Sequence, residues 1–210
     1  MLRFLTSTAA LALVALPAIA QPANLQPTRD VTVTYRVNGA AATGGAPGAA
    51  AAPQEMRMAF SASTGKQRMD PPGGIGWMLI DRRANTAVMV MDAQRATMAM
   101  PPATAAAMTQ GVPAGATFTR KGTATVAGTS CVEWDVAVAQ GRGTSCITED
   151  GVLLRATTTP PNGTPTTVME ATQVSYGQVD PARLSIPTGY TAMQMPGGAP
   201  GAPAGAPPAR

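Results

Sequence analysis

Histidine is absent from the 210-residue chain. Without imidazole, Ser-His-Asp and Cys-His nucleophilic catalysis, HExxH metalloprotease chemistry and His-based zinc sites are excluded. Aromatic residues are scarce at 4% and charged residues reach only 12%. The basic side chains are scattered, with Arg82-Arg83 and Arg120-Lys121 the only adjacent pairs. A nucleic-acid surface needs a clustered basic stripe with interleaved aromatics, so no nucleic-acid partner is expected. The chain also lacks a long hydrophobic run. The apolar stretch Phe4 to Leu16 falls short of the roughly 20 residues a spanning helix needs, so no transmembrane segment is expected in the mature chain.

That short run has another reading. Arg3 supplies a positive flank, and Ala18-Ile19-Ala20 is an A-x-A cleavage site, which together predict a signal peptide over residues 1–20, cleaved after Ala20. Without Arg3 the 15 basic residues become 14 against 11 acidic, a net charge of +3. The expected location is periplasmic or secreted. Residues 21–195 read as one domain, interrupted by a low-complexity insert at 40–53 and followed by an Ala/Pro/Gly tail at 196–210. Neither low-complexity piece can bury enough apolar surface to offset its ordering entropy, so both are expected to be disordered.

Between these pieces, strict alternation is the dominant signal, and it predicts strands. Val31, Val33, Tyr35 and Val37 share one face; Met56, Met58 and Phe60 alternate with Arg57, Ala59 and Ser61. Trp77–Asp81 and Thr86–Asp92 flank the turn Arg82-Arg-Ala-Asn85, and a further strand is expected over Arg95–Met100. Pro101-Pro102 then opens Ala103–Gln110, the one good helix candidate, closed by Gly111. Later strands are expected at Thr117–Val126, Cys131–Val138, Thr144–Thr148, Val152–Thr158 and Thr166–Tyr176, with Asp150-Gly151 as a hairpin turn and Leu184, Ile186 and Tyr190 docking last. The pattern predicts a meander of roughly nine or ten short strands joined by short turns.

The only two cysteines, Cys131 and Cys146, lie on neighbouring strand-like runs around Gln140-Gly-Arg-Gly143. An even cysteine count behind a signal peptide predicts a disulfide hairpin. Closing a ring of this size is worth about 3 kcal/mol in the chain-entropy model.

Three motifs are weighed and set aside as catalytic. Ser63-Thr-Gly-Lys66 matches the S-x-x-K pattern of penicillin-recognising enzymes. Gly65 and the flanking β pattern put it in a turn, where the two side chains diverge, and the companion motifs are missing. Glu133 and Asp135 share a strand face, and Glu149-Asp150 sits at a turn. Paired carboxylates about 5–9 Å apart can hydrolyse glycosides, but the first pair reads as the solvent face opposite Val132, Trp134 and Val136, and the second as turn chemistry. Asn162-Gly-Thr164 fits a glycosylation sequon but is followed by Pro165. No enzymatic activity, catalytic residue or cofactor is expected.

Methionine is the unusual presence. The chain has 13, and Met56/Met58, Met89/Met91, Met98/Met100 and Met193/Met195 form Met-x-Met pairs. Residues two apart on a strand point to the same side. Such a face can fill an aromatic-poor core, line a site for apolar ligands, or offer soft thioethers to Cu(I).

Gly128, Cys131, Trp134, Cys146, Asp150-Gly151 and the closure Ile186-Pro-Thr-Gly-Tyr190 together are similar to an uncharacterised bacterial periplasmic family related to the lipoprotein-carrier-like (LolA/LppX-like) half-barrels. The resemblance implies a mainly β fold: a curled antiparallel sheet, or half-open β-barrel, closed by a helix. It also implies an apolar concave face that binds lipids or acyl chains. The chain differs from that pattern in its scarcity of aromatics, its single clear helix and its insert after the first strand.

The expectation is therefore a non-enzymatic periplasmic binding module for a hydrophobic ligand or a lipidated or envelope partner. Met56, Met58, Phe60 and Met78 are expected to line the ligand site, with Met89, Met91, Met98 and Met100 beside them. The alternatives are Cu(I) binding through the Met-x-Met pairs, or a structural envelope protein without ligand.

Overall fold

A computed structural model describes residues 21–38, 54–74, 76–112, 115–139, 141–160 and 163–193. The expected signal peptide, the low-complexity insert, the tail, Met195 and the sequon asparagine lie outside the described residues.

Among the described residues, twelve strands form one sheet: β1 (Val31–Val37), β2 (Gln54–Ser61), β3 (Lys66–Asp70), β4 (Trp77–Asp81), β5 (Thr86–Met91), β6 (Ala96–Ala99), β7 (Thr117–Val126), β8 (Thr129–Val138), β9 (Gly141–Ile147), β10 (Leu153–Thr159), β11 (Thr166–Tyr176) and β12 (Thr191–Met193). Their spatial order is β12-β6-β5-β4-β3-β2-β1-β11-β10-β9-β8-β7. The edge strands β12 and β7 do not pair with each other, so the sheet stays open. Apart from the parallel β12–β6 pair, every pairing is antiparallel. Twelve strands exceed the expected nine or ten, because the five-residue β3 and the chain-end strand β12, both too short to show a clear alternation, add to the count.

The helix α1 (Pro102–Gln110) has Pro at its first turn and Gly111 at its C-terminus with φ of 72°. The fixed φ of proline suits a first turn, and glycine takes the left-handed cap without steric penalty. Ala105 of α1 packs on Ile80 and Ala87, with Met69, Met78, Met100 and Met108 around them.

From β1 to β6 the ladder runs without a register shift. Because side chains alternate, this places Val33, Met58, Met69, Met78, Met89 and Met98 in one row on one face. Met193 extends the row onto β12, opposite Met98. The reverse face of the same strands is also covered. Ala59 is fully buried against Val179 and Leu184, while Trp77, Leu79 and Val90 pack with Val88 and Tyr190. The chain after β11 thus wraps the outside of the sheet. Asp30 pins its start by accepting from the backbone N–H groups of Ala62 and Val179. Asp92 holds its end by accepting from Tyr190 Oη at 2.8 Å and Trp77 Nε1 at 3.3 Å. Leu184 and Tyr190 dock as expected, but Ile186 is exposed.

Cys131 and Cys146 form a disulfide with Cα atoms 5.5 Å apart. They are diagonal rather than opposite, since Cys146 faces Glu133 across the β8–β9 pair. The bridge joins the central cluster of Val31, Val33, Tyr35, Met58, Phe60 and Leu154. Phe118, Trp134 and Ile147 form a separate cluster, with the Phe118 and Trp134 rings edge to face at 6.4 Å.

The hairpin turn is tighter than Gln140–Gly143. Gly141, Arg142 and Gly143 belong to β9. A Cβ on Gly143 would lie 2.1 Å from the carbonyl oxygen of Thr157, so this glycine serves a close approach of β9 to β10. We expect Gly143→Ala to cost about 1–3 kcal/mol through forced strand separation. Gly122→Ala, whose added methyl meets nothing within 4 Å, should change stability by less than about 0.5 kcal/mol. Urea unfolding of the two variants checks the contrast.

Candidate ligand cavity

The segment before β1 crosses from the end of α1 to the turn between β9 and β10. Gln26 Nε2 donates to the carbonyls of Thr109 at 2.6 Å and Gln110 at 3.2 Å, satisfying helix-end acceptors that lack intrahelical partners. Thr28 N–H donates to the Asp150 carbonyl at 2.9 Å. Gly151, with φ of 87°, lies directly under this strap, where a Cβ would come 2.0 Å from the Gln26 carbonyl oxygen. The expected Asp-Gly hairpin turn is therefore also the seat of the N-terminal segment.

Asp150 is the hub of that seat. It accepts from Arg29 Nε at 2.8 Å, Thr148 Oγ1 at 2.5 Å and Tyr176 Oη at 3.1 Å. The Arg29 guanidinium carbon lies 3.8 Å from the centroid of the Tyr176 ring. Burial alone would raise the Asp150 carboxyl, but these donors outweigh it and hold the pKa below its ordinary value.

Beneath the strap is a cavity of about 270 Å³. Leu25 and Pro27 roof it, and Met108 and Gly111 close it from the end of α1. Its walls are Tyr35, Met56, Met58, Met69 and Ile80 on one side and Leu153 and Met169 on the other. Tyr35 Oη donates to the Leu153 carbonyl at 2.8 Å, tying β1 to β10 across the wall. Burial pushes this phenol's pKa up, so it stays a neutral donor. The size is close to the lower end of small-molecule sites, roughly 300–1,000 Å³.

Two polar side chains break the apolar lining, Gln67 and Arg82. Arg82 Nη2 donates to Gln67 Oε1, and the guanidinium carbon lies 5.3 Å from the centroid of the Phe60 ring. Its Nε and Nη1 are buried and have no hydrogen-bond partner among the described residues. Desolvation lowers the pKa of this arginine from its ordinary value.

The eight expected lining residues share one face but not one environment. Met56 and Met58 line the cavity. Phe60 is buried in the central cluster, and Met78 and Met100 pack beneath α1. Met89, Met91 and Met98 are half-buried further towards the β12 edge. Met69, Met108, Met169, Gln67 and Arg82 belong to the cavity although the sequence pattern did not single them out. The methionines among them are isolated rather than paired, and Arg82 reads only as a turn residue. The alternation of Gln67 with Met69 on β3 is the signal that brings those two onto the Met58 face.

The set-aside motifs sit as follows. Ser63 and Lys66 bracket a turn in which Gly65 has φ of 71°. Glu133 is half-buried and held by Arg155 at 2.7 Å, and Asp135 by Lys121 at 3.3 Å. The face carrying Glu133 is thus partly covered rather than fully solvated, because the disulfide lies on it.

No protein-family model and no curated protein sequence matches the chain. Solved structures do resemble it in shape. An uncharacterized conserved protein from Thermus thermophilus is similar at a TM-score of 0.55 and 9% identity, over 80% of this chain and 91% of that one. MucB is similar at 0.48 and 12% identity, over 78% of this chain and 59% of MucB. A chain of the Pseudomonas aeruginosa MucA/MucB complex is similar at 0.48 and 13%, over 74% and 55%. These are likenesses of fold, and fold alone does not specify function.

The Asp150 hub carries a pH prediction. A carboxyl whose folded pKa lies below its ordinary value of 3.8 contributes stability above that value, and loses it as pH falls through the folded value. Melting temperatures of the wild type should therefore drop more steeply below about pH 4 than those of Asp150→Asn. Parallel curves for the two proteins would remove Asp150 as the source.

Proposed function

We propose that this chain is a non-enzymatic module that binds a hydrophobic ligand outside the cytosol. The observation that carries the reading is the methionine-lined cavity between the strap, α1 and the sheet. Thioether side chains are polarizable and rotate easily, so they adapt to apolar ligands of varied shape. Burial of apolar area drives such binding, at about 25 cal/mol per Å² before ordering costs. The Cys131–Cys146 bridge supports a site of action in an oxidising compartment. A free lipid or the acyl group of a lipidated envelope protein would meet the same apolar walls.

The test uses a neutral fluorescent apolar probe, N-phenyl-1-naphthylamine, on protein stripped of co-purified lipid. Wild type should enhance its emission saturably. Met169→Trp, which puts a larger side chain into the cavity wall, should weaken binding at least about tenfold while the circular dichroism spectrum is unchanged. Absence of saturable binding, together with no co-purifying apolar molecule on native mass spectrometry, would overturn the reading.

The in-register row Met58, Met69, Met78, Met89 and Met98 favours one second reading, Cu(I) binding. Opposed Cβ atoms on neighbouring antiparallel strands are about 5 Å apart, so successive thioethers can converge on one soft ion. Anaerobic Cu(I) titration against a competing chelator tests it. Replacing Met78, Met89 and Met98 together by Leu should lower affinity at least about hundredfold, and an unchanged affinity would end this reading.

A further inference from the structure

We propose that the apolar ligand carries a carboxylate and that Arg82 is its counter-ion. This deepens the hydrophobic-ligand reading and rests on it. The chemical class is a single-chain fatty acid or a similar alkyl carboxylate.

Three observations meet at Arg82. First, no carboxylate among the described residues forms an ion pair with it. Asp81 is engaged by the backbone N–H groups of Arg83 and Ala84, Asp70 by Arg68 and Arg183, and Asp30 by two backbone N–H groups. Other partly buried arginines are paired: Arg68 with Asp70, and Arg155 with Glu133 and Glu170. Secondly, Arg82 is anchored at its backbone and at one guanidinium nitrogen. Gln67, itself buried, fixes Nη2, its own backbone N–H donates to the Gly65 carbonyl at 3.1 Å, and the Phe60 ring lies beside the guanidinium. Gln67 is a positioning residue here. Thirdly, Gln67 engages only Nη2, and the other two guanidinium nitrogens, Nε and Nη1, are buried without a partner among the described residues.

Buried donors are nearly always paired, and an unpaired cationic group away from water is costlier still. A carboxylate can meet a guanidinium with two parallel N–H bonds, either side-on across Nε and Nη2 or end-on across Nη1 and Nη2. Each mode engages one of the nitrogens that lack a partner. Nη2 carries two N–H bonds and Gln67 accepts from it, so one of the two modes stays open. Both unpartnered nitrogens are closed off by their neighbours, so binding turns the guanidinium on its flexible stem to meet the head group. The alkyl chain then lies along Met56, Met58 and Met69, under Leu25. A cavity of about 270 Å³ suits one short chain better than the paired chains of a phospholipid.

The test compares decanoate with decanol, equal in chain length and different in charge, by calorimetry on the stripped wild-type protein, with N-phenyl-1-naphthylamine displacement as a second readout. Decanoate should bind at least about twentyfold more tightly. Arg82→Met should bring the two affinities within about threefold of each other while the neutral probe still binds, and Arg82→Lys should recover part of the preference. Equal affinities of decanoate and decanol for the wild type would overturn the proposal and leave the hydrophobic-ligand reading standing. An unchanged preference in Arg82→Met would do the same. Failure of decanoate, decanol and probe alike would overturn both.

Discussion

The unbroken antiparallel register from β1 to β6 is the constraint on which the rest of the molecule depends. Alternation has a period of two, so a slip of one residue anywhere in this run would exchange the two faces of every strand beyond it. Here the cost of a slip is high on both sides. One face carries the methionine row and receives α1, and the other carries Ala59, Leu79, Trp77 and Val90 under the returning chain. A sheet solvated on one side tolerates some ambiguity; this one is pinned from above and below.

Methionine on the α1 face follows from what that face has to do. Aromatic side chains would fill it rigidly, and the chain has few of them. Aliphatic β-branched residues would pack it tightly, as Val31 and Val33 do in the central cluster, where both are completely buried. Methionine replaces them from β2 onward, and most members of its row remain half-buried. The central cluster thus combines stiff valines with the disulfide, whereas the neighbouring strands present soft, unbranched side chains. The cavity opens at this boundary, where rigid packing ends and adaptable packing begins.

Much of this was legible in the residues. Alternation located most strands, Pro101-Pro102 and Gly111 bracketed the helix, and the two cysteines pair as an even count in an oxidising context predicts. The missed features share a physical cause: each depends on a neighbour distant in sequence. Gly143 looks like a turn residue until the Thr157 carbonyl beside it is seen. Ala59 alternates as a solvent-side residue would, yet Val179 and Leu184 cover it. The methionine row is invisible to a reading of pairs two apart, because its members come from different strands and are aligned only by hydrogen-bond register. Arg82 carries no local mark at all, since its position just after β4 is an ordinary turn position.

Arg82 also bears on why such a residue is kept. A hydrophobic side chain of similar length would leave no donor unpaired, and buried charges are often replaceable by apolar groups with a gain in stability. The protein by itself is therefore less stable than it could be at this position, and Gln67 and Phe60 contact the guanidinium without neutralising it. Local violations of otherwise consistent packing tend to mark functional positions, because the compensating partner is not part of the chain. The disulfide and the valine cluster lie beside the cavity and supply the rigidity against which such a cost can be carried. The strap is built the other way, with its polar bonds inside the chain: Asn24 donates to the Glu149 carbonyl, Gln26 to the end of α1, and Thr28 and Arg29 to Asp150, so Leu25 and Pro27 are each held over the cavity between two anchored residues.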